Sequence, residues 1–216
     1  MNTLKKINKD IYFDVEEDLL WRKDDIDLTT YNILKNETEL LEIVKPYLKG
    51  SKVAIQAGGN CGMQVVKFAE FFDMVYTFEP DPVNFHCLVN NLHYKNVIKL
   101  QCCVGDSRKL VSLNTLEGHI GGFFVNQNSG YIPTIMIDDL NLQNCNFIQL
   151  DVEGYQMHAL RGATYTIQRF KPVISVEFDW IDRFEYSTND LLNFFNNIGY
   201  KRVESYTSDH IFAFDK

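Results

Sequence analysis

Along this chain the apolar runs end repeatedly on an acid or an amide. Gln56 closes VAIQ, Glu79 with Asp81 follows MVYTF, Asp106 follows CCVG, Asp151 with Glu153 closes FIQLDVE, and Glu177 with Asp179 closes VISVEFD. Each of these has a bland reading as a loop acid or a helix cap, and Asp81, just before Pro82, reads as a cap. Collected at one edge of a sheet they form a negative rim, which suits a cationic ligand better than a polyphosphate. Next to the first of them, residues 53–62 read V-A-I-Q-A-G-G-N-C-G. Glycines 58, 59 and 62 either let a ligand pass close to the backbone or serve a tight turn, since glycine tolerates positive φ.

Two nucleotide chemistries compete for such a turn. A dinucleotide site wants G-x-G-x-x-G and an acid further on for a ribose. Here the register is A-G-G-N-C-G, with Ala57 at the first glycine position. Glu79 serves a ribose in either case, because one carboxylate accepts from both hydroxyls. The crowded acidic edge favours S-adenosylmethionine, whose sulfonium and ammonium it balances. Methyl transfer then needs a nucleophile held behind the methyl group, water kept out, and a base for an alcohol's proton.

Asp151 and Glu153 lie two residues apart and project to one side of the emerging chain. Asp151 is the first candidate for cofactor contact or base and Glu153 the second, with a turn acid before Gly154 as the plainer reading of Glu153. His119, in EGHIGGFF, is a further candidate base, although a surface-loop histidine is the commoner outcome. His158 reads as a packed or exposed helix residue, and Asp138 and Asp139 as a helix cap. Asn126, Asn128, Ser129, Trp180, Phe184 and Tyr186 are available to contact a polyol or apolar acceptor. Magnesium at Asp151, Glu153 and the acids near Glu177 is the competing mechanism. The sulfonium already gives these carboxylates a purpose, and no histidine or DxD pair reinforces them, so metal-independent transfer with Asp151 central is expected.

The elements that must position these residues alternate. Strand patterns at 53–56, 74–79, 97–105, 145–152 and 172–178 are separated by helical patterns at 63–72, 82–94 and 155–170. An amphipathic helix is expected from Glu37 to Gly50, and another over 187–199 with Ser187 as its cap. Residues 106–137 break the rhythm with shorter strands and glycine joints. YKRVESY and HIFAFD close the chain, joined too tightly for a parallel crossover. The fold class is therefore α/β: a Rossmann-like, doubly wound, mostly parallel sheet ending in an antiparallel strand pair. Residues 1–36 read as an N-terminal arm or cap, and 37–216 as the main domain.

The chain has 216 residues, 45% hydrophobic and 23% charged, which is ordinary for one soluble domain. A net charge of −8 argues against a general nucleic-acid binder. The five cysteines show no CxxC spacing and sit mostly in apolar runs, as reduced thiols do; Cys61, in the glycine turn, reads as a small buried filler in preference to a reactive thiol. No run approaches a membrane span and the start has no apolar leader core, so a cytoplasmic protein is expected. Nothing in the pattern bears on oligomeric state.

VAIQAGGNCGMQVVKFAEFF, VYTFEPDPVNFHCLVNNL, CCVGD, TIMIDDL and FIQLDVEGYQMHALRGA, in that order, resemble FkbM-family methyltransferases over about residues 50–178. The likeness is strongest in FEPDP and LDVEGYQMHALRGA. It implies a Rossmann-like enzyme that uses S-adenosylmethionine, with a small-molecule or glycan hydroxyl as acceptor. Carried onto this chain, it implies that Gly58, Asn60 and Gly62 line the methionine and ribose portion, with Gln56 and Ala57 in the same turn. Glu79 would hold the ribose hydroxyls beside Pro80, Asp106 would sit near the adenine amino group, and Asp151 would face the reacting end. The family usually has an acid where this chain has Gln56, which can accept a hydrogen bond but not balance charge. The alternative is an NAD-binding or non-catalytic Rossmann module acting as a structural partner.

Overall fold

Strands buried on both faces must be apolar at every position, and the central runs are. In the computed structural model, which describes residues 12–16, 19–36, 39–115, 120–127 and 130–215, these runs form one sheet. An N-terminal hairpin comes first, β1 (Tyr12–Glu16) and β2 (Leu19–Arg22), followed by α1 (Thr29–Asn36) and α2 (Leu40–Val44). Then come β3 (Val53–Ala57), α3 (Met63–Phe71), β4 (Met74–Phe78), α4 (Pro82–Asn91) and β5 (Val97–Leu100). The middle segment gives β6 (Cys103–Val104), β7 (Leu110–Thr115), β8 (Phe123–Asn126) and β9 (Ile132–Ile135). The chain ends with β10 (Phe147–Leu150), α5 (Gln156–Arg161), α6 (Thr164–Phe170), β11 (Val173–Glu177), α7 (Thr188–Asn197), β12 (Tyr200–Tyr206) and β13 (Asp209–Phe214).

The main sheet has seven strands in the order β12-β13-β11-β10-β3-β4-β5. Neighbours from β11 to β5 are parallel, while β13 runs antiparallel to both β11 and β12. The chain winds outward through β4 and β5, then returns to lay β10 on the other side of β3. That reversal opens a crevice at the carboxyl ends of β3 and β10, where ligands bind in such sheets. Alternate residues face opposite layers: Ile55, Ile148 and Val176 pack into one core cluster, Ala54, Phe147 and Val173 into the other. Burying each large side chain is worth about 1.5–3 kcal/mol.

Residues 106–137 contribute to a separate four-stranded sheet, β6-β9-β7-β8. The expected strand over 97–105 is cut after Leu100 because its partner β4 ends at Phe78. The chain then leaves the main sheet and resumes as β6 beside β9. The helix expected to reach Gly50 stops at Val44 and tightens into a 3-10 turn, Lys45–Tyr47, around Pro46. The helix expected over 155–170 breaks at Gly162, whose missing side chain lets Gly105 approach: a Cβ there would lie 1.8 Å from the Gly105 oxygen. Asp138 then caps the second half, accepting from Tyr165 N at 2.9 Å and Thr166 N at 2.8 Å. Asp81 and Ser187 cap α4 and α7 as their positions suggest.

The N-terminal segment is fastened to α4. Asn91 pairs with the backbone of Leu20, accepting at 2.7 Å and donating at 2.9 Å. Asp25 accepts from Trp21 Nε1 and from the backbone N–H groups of Thr30 and Tyr31, so one carboxylate joins the hairpin to α1. Arg22 is 5% exposed and donates to Asp81 Oδ1 at 3.0 Å and Asn84 Oδ1 at 2.9 Å. Removing one partner of a buried ion pair strands the other charge, so Arg22→Met should cost about 3–5 kcal/mol in urea unfolding. A loss below about 1 kcal/mol would show that the segment is held by packing alone.

Candidate active site

Three strand ends meet at the crevice. Gly58 (φ 93°) and Gly59 each donate their N–H to Phe78 O at 2.9 Å, which ties the glycine turn to the end of β4. A Cβ on Gly58 would lie 2.0 Å from Asp151 O, so the turn also presses on the end of β10. Asn60 N donates to Glu79 Oε2 at 2.7 Å and Asp81 N to Glu79 Oε1 at 2.8 Å. Glu79 is thus oriented by main-chain donors at both oxygens. Burial raises its carboxyl to about 7, against the opposing pull of those two backbone bonds.

A polar row crosses the sheet beneath this turn. Gln56 is in register with Thr77 on one side and Gln149 on the other, and Gln149 with Ser175; all four are buried. Thr77 Oγ1 donates to Gln56 Oε1 at 2.6 Å, and Gln56 Nε2 donates to Gly58 O at 2.7 Å. Gln149 Nε2 donates to Gln64 Oε1 at 3.0 Å.

Above the turn opens a cavity of about 500 Å³. On the β4 and β5 side its wall includes Ala57, Gly58, Asn60, Glu79, Pro80 and Cys102–Val104. On the β10 and β11 side it includes Asp151, Glu153, Glu177, Asp179, Trp180 and Asp209. Thr30, Ile33 and Leu34 of α1, with Leu113, Phe123 and Val125 of the small sheet, complete it.

The acidic side is dense. One carboxylate oxygen from each of Asp151, Glu153 and Glu177 lies within 4.8 Å of the others. Glu153 sits at φ 52° before Gly154 at φ 100°. Arg183 Nη1 donates to both Glu153 O and Oε2 at 3.0 Å, with its guanidinium 4.3 Å from the Phe124 ring and 4.4 Å from that of Trp180. Burial first, then the charges of Asp151, Glu153, Asp179 and Asp209, push the Glu177 carboxyl up to about 10.

Not every residue singled out by the sequence reaches this wall. Gln56 stands beneath it, with its amide engaged by Thr77 and Gly58. Gly62 (φ 95°) opens α3, and its missing side chain faces Leu88 of α4 and Leu92 just beyond it, so glycine there supplies a left-handed turn and close packing. Asp106 is also outside, bonded through Oδ2 to His158 Nδ1 at 2.6 Å. Burial pushes the Asp106 carboxyl up, but the His158 bond and charge prevail and hold it below the usual range. Phe184 and Tyr186 pack edge-on against His158, while Trp180 does line the cavity. Asn126 pairs with Asn114 at 3.4 Å. His119, Asn128 and Ser129 lie outside the described residues.

Sequence reasoning missed α1, Cys102–Val104, Tyr155 and Asp209. Asp209 had a signal: β13 is antiparallel to β11, so its first residue meets Glu177 at the carboxyl edge. The contribution of α1 had none, because its docking depends on side chains far along the chain.

A glycine turn at the switch point of this sheet, with one antiparallel strand inserted at its far end, defines the class I methyltransferase fold. The chain matches the family model described as the methyltransferase FkbM domain over residues 60–202, more than half its length, and belongs to that family of S-adenosylmethionine-dependent methyltransferases. The fold is similar to that of a methyltransferase FkbM from Methylobacillus flagellatus KT, at 20% identity and a TM-score of 0.50. The match covers 76% of this chain and 44% of that one, so the chain spans less than half of that protein. It also resembles a precorrin-6y C5,15-methyltransferase from Geobacter metallireducens GS-15 (15% identity, TM-score 0.48, 82% and 88% covered). A SAM dependent methyltransferase from Aquifex aeolicus is similar too (13% identity, TM-score 0.47, 84% and 96% covered). No curated protein matches the chain in sequence. Among the described residues no helix is long and apolar enough to cross a membrane.

Glu79 also predicts how stability varies with pH. Its folded pKa of about 7 lies above the ordinary 4.5, so its contribution is complete below about 4.5 and is lost as pH rises through about 7. Between those limits the unliganded wild type should lose on the order of 3 kcal/mol relative to Glu79→Gln in chemical denaturation. Parallel stability curves for the two proteins would contradict the burial of this charge.

Proposed function

We propose that the protein transfers the methyl group of S-adenosylmethionine to a hydroxyl of a sugar, glycan or natural product. The observation that carries this is a single cavity joining the Glu79 strand end to the Asp151 and Glu153 strand end across the switch point. The donor set fits the cofactor. Glu79, held by the Asn60 and Asp81 N–H groups, presents its remaining lone pairs to two ribose hydroxyls. Gly58 and Asn60 line the ribose and methionine portion, and Pro80 with Cys102–Val104 walls the base. The acidic side balances the ammonium and sulfonium.

When bound, the cofactor supplies an electrophilic methyl group on a positively charged sulfur. The chain's own residues position the acceptor oxygen, exclude water and take the proton. Arg183 already engages Glu153 in an ion pair at 3.0 Å. Asp151 is therefore assigned as the base. Trp180, at the rim, is placed to pack on a sugar ring. The free, buried cysteines suit a reducing compartment such as the cytoplasm.

Calorimetry with S-adenosylhomocysteine and with NAD tests the cofactor directly. Glu79→Ala should lose about 1.5–3 kcal/mol of S-adenosylhomocysteine binding. Wild-type affinity should rise with pH up to about 7, because the ionised carboxylate is the form that accepts from the ribose. Tighter binding of NAD, or unchanged affinity in Glu79→Ala, would sink the assignment. Asp151→Asn should keep much of the cofactor affinity but lose most turnover with a methyl-labelled donor and a panel of hydroxylated acceptors, since an amide cannot take the proton.

A further inference from the structure

The acidic side of the cavity has the makings of a second binding site. Asp151, Glu153 and Glu177 come from two different strand ends, yet one oxygen from each falls within 4.8 Å of the others. Opposed ligands on a cation bound at about 2.4 Å lie about 4.8 Å apart, and adjacent ones about 3.4 Å, which is the range of calcium; magnesium needs a slightly tighter set.

An independent observation comes from Gln156, the first residue of α5. Its side chain is fully buried (0% exposed), and its Oε1 has no hydrogen-bond partner. Its amide end abuts the cluster, with Nε2 3.4 Å from Glu177 Oε2 and 3.5 Å from Asp179 O, both at the weak limit for a hydrogen bond. A buried amide oxygen without a partner costs about 1–3 kcal/mol. Rotation of the amide exchanges its oxygen and nitrogen, which places Oε1 at the 3.4 Å spacing of two adjacent ligands on one cation. Three carboxylates and an amide oxygen, with no sulfur or imidazole, form a hard donor set of the kind that selects magnesium, calcium or manganese over zinc.

We propose that Asp151, Glu153, Glu177 and Gln156 hold a divalent hard cation at the acceptor end of the cavity. Resting on the methyl-transfer reading, the site selects acceptors that offer two adjacent oxygens, such as a vicinal diol. In that arrangement Asp151 gives one oxygen to the cation and keeps the other for the acceptor's proton, and the metal-independent transfer expected from sequence gives way to cation-assisted binding of the acceptor.

The test uses the full chain, stripped with EDTA and titrated with manganese chloride while free Mn²⁺ is followed by electron paramagnetic resonance. S-adenosylhomocysteine binding is measured calorimetrically on the same samples. The expected result is one Mn²⁺ per chain, displaced by Ca²⁺ or Mg²⁺. Glu177→Gln and Gln156→Leu should each weaken it roughly 10- to 100-fold. Melting curves identify either variant that fails to fold, and the other then decides. Absence of Mn²⁺ binding, or binding indifferent to the folded variants, overturns the site. S-adenosylhomocysteine bound without Mn²⁺ removes the cation and leaves the methyl-transfer reading intact. Mn²⁺ bound at this site without S-adenosylhomocysteine does the reverse.

Discussion

The cavity depends on one close approach, that of the Gly58 backbone to the carbonyl of Asp151. No side chain fits between them, since a Cβ would sit 2.0 Å from that oxygen. With this contact made, Asp151 N reaches Ala57 O at 3.1 Å, and Phe78 O receives the N–H groups of both Gly58 and Gly59. Three strand ends are thereby joined through main-chain atoms. The separation of Glu79 from Asp151 is then set by backbone geometry, which side-chain motion cannot alter. Glycine's permissive φ and its lack of a Cβ are both needed at this one position.

The polar row under the turn serves the same end by a costlier route. Polar side chains inside a sheet are unfavourable unless they are bonded. Gln56 is bonded at both ends of its amide, to Thr77 and to Gly58 O, so its burial fixes the carbonyl side of the turn. An acid at position 56 would lack the N–H that does this. Glutamine at position 56 therefore makes sense as turn support.

How far the structure was visible in the sequence follows from the range of the interactions involved. Continuous apolar runs announced the parallel strands, because burial on both faces is written into every residue of the run. The short joint after Tyr206 announced the antiparallel pair, and Asp81 and Ser187 announced their helices, since capping is local. The break at Gly162 was not visible, because it arises from contact with Gly105, distant in sequence. The same holds for Asp106, whose partner His158 could be found only once α5 was placed, and for Gly62, which packs on α4. Residue type and spacing located the acids at the sheet edge; which of them share a wall was decided by tertiary neighbours.

The segment over residues 19–36 also has a thermodynamic consequence. Thr30, Ile33 and Leu34 of α1 form part of the cavity wall, while the segment that carries them is fastened by Arg22 to Asp81, two residues beyond Glu79. Docking of this segment and ligand affinity are consequently linked equilibria. Whatever fraction of molecules holds the segment in place scales the apparent affinity, and a bound ligand returns the favour by favouring the docked state. A buried ion pair at the N-terminal cap of α4, outside the cavity, is thus a control on occupancy inside it.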